Sequence, residues 1–288
     1  MTSWMGPPQP NDGPVSFYAP VLGVIRIVLV VLLTVVLLGL FLLVRPWVRT
    51  RLGNAAARLL SQVWSRGGLA ILGIRVEHRG RPEPRGAVVV ANHVTWLDIL
   101  ALRTGPFTTY VAKSEVAGWP GVGPLAKLNN TMFVERRRGA AKTQESEMIA
   151  RLERGEHLVF FPEGTSSDGR RVLPFKSALF AAFSKPPLSE SVVVQPTGLS
   201  WIAPPDQPHT FFGWWGTMGL TPSIWAIATR AWGGRLIVSW QPVLRPNDFE
   251  DRKALALACE TSVADALRNA GVPDVLTGQE AWDQLEPT

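Results

Sequence analysis

The residues best suited to chemistry are a histidine and an aspartate five positions apart, within Val88-Val89-Val90-Ala91-Asn92-His93-Val94-Thr95-Trp96-Leu97-Asp98. A β-branched run stops at Asn92-His93, and a helix is predicted from Thr95, a residue type that caps helix N-termini. Such a strand-to-helix junction puts polar side chains at the carboxyl edge of a sheet, where α/β proteins bind ligands. The turn lets Asp98 fold back toward the His93 ring. A carboxylate on one ring nitrogen fixes the tautomer and leaves the other nitrogen to accept a proton. Removing a proton from an alcohol requires that arrangement, which typically contributes about 10²–10⁴-fold in rate.

The pattern recurs in His157-Leu158-Val159-Phe160-Phe161-Pro162-Glu163-Gly164-Thr165. An apolar strand stops abruptly, and a carboxylate and a flexible glycine follow. Glu163 is expected to orient a substrate hydroxyl, with backbone N–H groups near Gly164 and Thr165 facing a developing oxyanion. Taken singly, each segment also fits a plain structural use, a histidine capping a helix or a glutamate in a turn. Their order behind a long apolar helix favours chemistry.

The elements that must position these residues alternate. Strands are predicted at Ala87–Ala91, Thr108–Val111, Thr131–Val134, His157–Phe161, Val192–Gln195 and Leu236–Ser239. Helices are predicted at Thr95–Arg103, Ala140–Arg154, Lys176–Phe183 and Arg252–Asn269. The alternation indicates an α/β fold, a mixed and largely buried sheet flanked by helices. Five segments are expected: a disordered leader over 1–20, a transmembrane anchor over 21–48, a basic amphipathic membrane-surface helix over 49–74, a catalytic domain over 75–270 and a loose acidic tail over 271–288.

The anchor rests on Ile27–Val44, 18 residues without a charge. As a helix this run is about 27 Å long, and Val21–Ile25 extend it toward the roughly 30 Å of a bilayer's hydrocarbon core, with Arg26 snorkelling toward a headgroup. A segment dipping into one leaflet is the alternative. Arg45, Arg49, Arg51 and Arg58 follow the run, whereas only Arg26 and Asp12 precede it, which places the C-terminal bulk in the cytoplasm, at the inner membrane. Leu52, Ala56, Leu59, Leu60 and Val63 then share a helical face flanked by Arg51, Arg58 and Arg66, a pattern that suits an anionic bilayer surface. A helix packed on the main domain with solvated arginines fits equally well.

Composition narrows the rest. The formal net charge of +6 and the 46% hydrophobic content suit anionic membrane lipids or an acidic carrier, and the arginines gather beside the apolar helix instead of forming a nucleic-acid patch. The single cysteine, Cys259, excludes an intramolecular disulfide and a multi-cysteine metal site. His78 and His209 sit in polar or Pro-rich stretches that favour solvation, and no metal centre is expected. No G-x-S-x-G elbow supplies a serine nucleophile. Six tryptophans between Trp201 and Trp240 suit either a bilayer interface or core packing.

Asn92-His93-Val94-Thr95-Trp96-Leu97-Asp98 resembles the NHxxxxD block of the glycerolipid acyltransferases, the group that includes 1-acylglycerol-3-phosphate acyltransferase. Phe161-Pro162-Glu163-Gly164-Thr165 resembles their FPEGT block, and Phe133-Val134-Glu135-Arg136 the block between them. Val193-Val194-Gln195-Pro196 matches the later apolar-proline block loosely. The resemblance spans roughly residues 75–245 and implies a glycerol-3-phosphate acyltransferase-like fold. It also implies that His93, oriented by Asp98, deprotonates a lysolipid hydroxyl. That hydroxyl attacks the thioester of acyl carrier protein or acyl-CoA, with no metal, cofactor or acyl-enzyme. Arg136 would bind the acceptor headgroup, Glu163, Gly164 and Thr165 would position it, and Lys113 falls where such enzymes carry a basic residue.

One departure bears on the acceptor. Many relatives that use a phosphate-bearing acceptor carry an arginine directly after the EGT triplet, whereas here Ser166-Ser167-Asp168 follows. Lys176, Arg170 or Arg171 is expected to substitute, or else the acceptor lacks phosphate. Glu163–Lys176 and Lys113–Trp119 also look like the branch that acylates lyso-ornithine lipid. Family prevalence keeps lysophosphatidate first and lyso-ornithine lipid second; a non-catalytic membrane-anchored lipid-binding protein is the rival of another class.

Overall fold

The computed structural model describes residues 4–8, 13–47, 50–106, 108–118, 123, 131–134 and 141–283. Its centre is a seven-stranded sheet in the order β1-β8-β7-β2-β5-β3-β4. The strands are β1 (Arg75–Arg79), β2 (Val88–Ala91), β3 (Thr108–Lys113), β4 (Met132–Val134), β5 (His157–Phe160), β7 (Val194–Ile202) and β8 (Arg235–Trp240). All pairings are parallel except β7 with β8. β6 (Arg171–Val172) pairs outside this sheet with β9 (Leu276–Thr277).

Strands buried on both faces read as continuous apolar runs, and alternate residues serve opposite layers. Val89 and Ala91 of β2 face a layer built from α2 (Arg51–Ile71), α3 (Asp98–Arg103) and α6 (Leu220–Arg230), with Leu69, Leu100, Ile227 and Trp201 in its core. Val88 and Val90 face α4 (Ala141–Glu153), the short α5 (Leu188–Ser191) and α7 (Arg252–Asn269), packing with Met148, Leu188, Leu255 and Val263. The predicted helix over Lys176–Phe183 is only a 3-10 turn at Ser177–Phe180, because Phe175, Phe180 and Phe183 turn into the second layer. Strand β1 and helix α6 went unpredicted, since β1 is mostly exposed and α6 begins within a Gly- and Pro-rich stretch.

The apolar helix α1 (Ala19–Val44) is long and apolar enough to cross a membrane. It is no free tether. α2 doubles back along it, with Trp64 Nε1 donating to Thr34 Oγ1 at 3.0 Å, and α1 also packs against α6. Arg26 therefore does not snorkel. It is buried, and its Nη1 donates to the Ala228 carbonyl at 2.7 Å beneath the Trp232 ring.

α2 packs on the main domain along one side and leaves apolar residues exposed along another. Leu52, Leu59 and Val63 stay exposed, while Leu69 enters the core and Arg66 donates twice to the Thr104 carbonyl at the end of α3. A basic side chain satisfying terminal helix carbonyls is a standard C-terminal partner.

The described residues near both ends dock more than a loose leader and tail would. Trp4 is 1% exposed, packed with Leu173, Trp215 and Ala281, and the Arg171 guanidinium lies 4.7 Å from its ring. Burying the Trp4 indole removes a large apolar surface from water and offsets part of the entropy of fixing the segment that carries it. At the other end, β9 and α8 (Gly278–Asp283) close over the same cluster through Leu276 and Ala281.

Candidate active site

Parallel pairing of β2 with β5 puts Val90 beside Phe160, so both motifs leave the sheet side by side at its carboxyl edge. Asn92 continues the ladder after β2 ends. Its amide mimics a peptide group, donating from Nδ2 to the Leu199 carbonyl at 3.0 Å and accepting from Leu199 N–H at 2.8 Å. The backbone is thereby released to turn at His93.

His93 Nδ1 lies 2.7 Å from Asp98 Oδ2. The Asp98 side chain is fully buried and the His93 side chain 23% exposed, its ring stacked 4.4 Å from that of Phe161. Four groups converge on Asp98: the imidazole, the N–H groups of Val94 and Thr95 at 2.7 and 3.0 Å, and the Trp201 indole N–H at 2.8 Å. Every one of these partners requires an acceptor, so the carboxylate holds Nδ1–H toward itself and leaves Nε2 as the basic nitrogen on the open side. Helix α3 starts at Asp98 and not at Thr95, because the carboxylate takes up the turn's backbone donors itself. Thr95 is not the cap.

Glu163 departs from its expected use. It is fully buried; Oε2 accepts from the His93 N–H at 3.2 Å and Oε1 from the Leu173 N–H at 3.3 Å. Burial holds its carboxyl well above the usual carboxylate range, against those two donors. Both oxygens are engaged with backbone, so Glu163 supports the His93 loop and presents no oxygen to an acceptor. Ser167 completes the grip: its N–H donates to the His93 carbonyl at 2.9 Å and its hydroxyl to the same oxygen at 3.3 Å. One loop thus holds both backbone groups of His93.

Gly164 N–H donates to the Phe161 carbonyl within a turn, which removes it as an oxyanion donor. Its φ of +69° and its closeness to Lys176 explain the glycine, since a Cβ there would meet Lys176 Nζ at 2.7 Å. Thr165 is half-buried, its hydroxyl directed at the Ser166 carbonyl. Lys113 ends β3 beside Val134, so the two strands bring it next to the segment that leads to Arg136. Arg136 itself lies outside the described residues, as does Trp119.

The three cations expected to replace the missing arginine are committed elsewhere. Arg171 pairs with the buried Asp168 at 2.9 Å, Arg170 with Asp274 at 3.1 Å, and Lys176 donates to the Glu163 carbonyl. Among the described residues no group of three or more His, Cys, Asp or Glu could hold a metal.

Trp201 and Ser167 are the contributors that sequence reasoning missed. The one available signal for Trp201 was its place in an apolar strand, where an indole N–H needs a buried acceptor. The tryptophan-rich segment divides accordingly: Trp201, Trp215 and Trp240 are buried, Trp214 is half-buried, and Trp225 and Trp232 are exposed. His209 and His78 are both exposed as expected, although His78 also accepts from Trp240 Nε1, and His157 is buried against the Glu83 carbonyl.

Comparison with known proteins bears on what this geometry belongs to. The protein-family model for Acyltransferase matches residues 73–200. A lyso-ornithine lipid O-acyltransferase of Rhodobacter capsulatus is 42% identical over 199 residues, covering 69% of this chain and 72% of that protein. A 1-acyl-sn-glycerol-3-phosphate acyltransferase of Neisseria gonorrhoeae is 40% identical over 119 residues, covering 40% of this chain and 46% of that protein. The crystal structure of the 1-acyl-sn-glycerophosphate acyltransferase PlsC from Thermotoga maritima superposes with a TM-score of 0.63 at 22% identity, over 88% of this chain and 96% of that one, and shares the fold. With a partly exposed histidine held by a buried aspartate at the sheet's carboxyl edge and a relative matched across most of its length, the chain belongs to the lysolipid acyltransferase family.

Proposed function

We propose that this acyltransferase moves a fatty acyl chain from a carrier-protein or CoA thioester to the hydroxyl of lyso-ornithine lipid. His93 Nε2 takes the hydroxyl proton while Asp98 holds the ring, and the oxygen attacks the thioester carbonyl. The tetrahedral intermediate collapses, the C–S bond breaks, and the departing thiolate takes the proton from His93. No acyl-enzyme, metal or cofactor enters this scheme.

The observation that carries the choice of acceptor is the segment after Glu163-Gly164-Thr165. There a buried aspartate, Asp168, engages Arg171, in the stretch where a phosphate would require a free cation. The kinship with the Rhodobacter protein points the same way. Lysophosphatidate is the second reading, favoured by the similarity to the Neisseria protein and by the segment leading to Arg136.

The chain is membrane-associated, through α1 and the exposed apolar residues of α2. Our reading places it at the inner membrane with its domain on the cytoplasmic side, where acyl carrier protein, CoA thioesters and anionic headgroups are available.

Wild type and His93→Ala should be given acyl-carrier thioester with each acceptor in turn. Wild type is expected to acylate lyso-ornithine lipid at least tenfold faster than lysophosphatidate, a difference worth about 1.4 kcal/mol, and the variant to acylate neither. Faster acylation of lysophosphatidate would transfer the assignment to the second reading. Equal turnover by both proteins would remove His93 from the mechanism.

A further inference from the structure

Between Asp206 and Arg230 the chain contains no Asp, Glu, Lys or Arg. Helix α6 lies at the end of that stretch, and it keeps Leu220 and Trp225 exposed at 37% and 41%. Just beyond it Trp232 is 69% exposed. On the opposite face of the sheet, α7 shows water Lys253, Asp265 and Arg268. An uncharged stretch that exposes Trp225, followed just past Arg230 by the exposed Trp232, has the composition that settles at the headgroup level of a bilayer.

Its neighbours specify the occupant. α6 packs along α1, the helix with membrane character, where a Cβ on Gly23 would meet Thr229 Cγ2 at 2.6 Å. Arg26 of α1 donates to the Ala228 carbonyl and lies 5.2 Å from the Trp232 ring. The exposed face of α6 therefore adjoins α1, the helix long and apolar enough to cross a membrane. On its inner side α6 reaches the catalytic loop, since Trp96 Nε1 donates to Ser223 Oγ at 3.1 Å.

We propose that α6, with Trp225 and Trp232, is a second lipid-contact surface, lying in the headgroup layer beside α1 and setting the height of the His93 loop above the acyl chains. An amphipathic element level with the active site would let an acceptor hydroxyl, itself at headgroup depth, meet His93 without leaving the bilayer.

Hydroxyl-radical footprinting of the unmodified chain in vesicles of phosphatidylethanolamine and phosphatidylglycerol tests this, with Leu257 of α7 as internal reference because it is apolar and 62% exposed on the opposite face. Trp225 and Trp232 should stay unoxidised while Leu257 is oxidised, although indoles are intrinsically the more reactive. Oxidation of both indoles in vesicles would overturn the proposal. So would protection that appears only in native membranes and not in pure lipid, since it would mean a protein cover. Trp225→Glu should raise KM several-fold for lysolipid presented in these vesicles and leave KM for the same lysolipid in detergent micelles unchanged; an unchanged vesicle KM would count equally against it.

Discussion

The indole N–H of Trp201 donates to Asp98 Oδ1 at 2.8 Å, joining residues 103 positions apart inside the buried layer of the sheet. The bond occupies the carboxylate oxygen that the His93 ring does not use. The orientation of the His93 ring therefore depends on strand β7 as well as on its own loop.

Trp201→Phe removes that donor and leaves a buried carboxylate oxygen short of a partner, a change costing about 1–3 kcal/mol. Loosening of Asp98 should lower kcat several-fold with KM for either substrate almost unchanged. A proportional rise in KM in steady-state kinetics would indicate that the indole contacts substrate instead. Asp98→Asn should be far more severe, on the order of 10⁴-fold in kcat, because an amide nitrogen in place of Oδ2 would face the Val94 and Thr95 N–H groups and the His93 ring, and the wrong tautomer would result.

Glu163 and Ser167 should behave as positioning residues. Glu163→Ala frees the His93 and Leu173 N–H groups and is expected to reduce kcat by at least about tenfold, roughly 1.4 kcal/mol of barrier, without weakening acceptor binding. Glu163→Gln retains one acceptor and should recover part of that loss. A rise in acceptor KM confined to the alanine variant would instead mark Glu163 as an acceptor ligand.

Stability should carry the same signature in its pH dependence. Because burial raises the folded-state proton affinity of Glu163, folding is favoured while the carboxyl is protonated. Stability should then decline as pH rises from the ordinary carboxylate range toward the raised folded value. Glu163→Gln cannot titrate and should flatten that part of the curve, as followed by thermal unfolding across pH in one detergent.

Cys259 is fully buried, and burial pushes its thiol up to about 12. It should resist aromatic disulfide reagents in the folded protein and react stoichiometrically once the chain is unfolded. Fast labelling of the folded chain would show that α7 opens readily.

Trp4→Ala should cost about 2 kcal/mol from lost indole burial, lowering Tm by roughly 4–8 °C, whereas Trp4→Phe should retain most of the stability. An unchanged Tm for the alanine variant would mean that the leader contributes nothing to the fold.

Much of this protein was legible locally. Hydrophobic runs and alternation mark β2, β5 and α7, because strands buried on both faces and helices along a sheet each leave a periodic imprint on their own residues. The His93–Asp98 pair was legible too, since a turn of five residues joins them without help from the rest of the chain. Membrane character showed in the uncharged run of α1.

What only the tertiary structure decided is where distant residues meet. Glu163 reads as a free carboxylate after a strand, yet parallel pairing of β2 and β5 brings it under the His93 backbone and makes it a support. Arg170, Arg171 and Lys176 read as available cations until Asp274, Asp168 and the Glu163 carbonyl claim them. Arg26 reads as a headgroup anchor until α6 arrives beside it. Periodicity records how a residue's own element is buried, but a hydrogen bond between remote segments depends on which strands pair, and local pattern does not encode that choice.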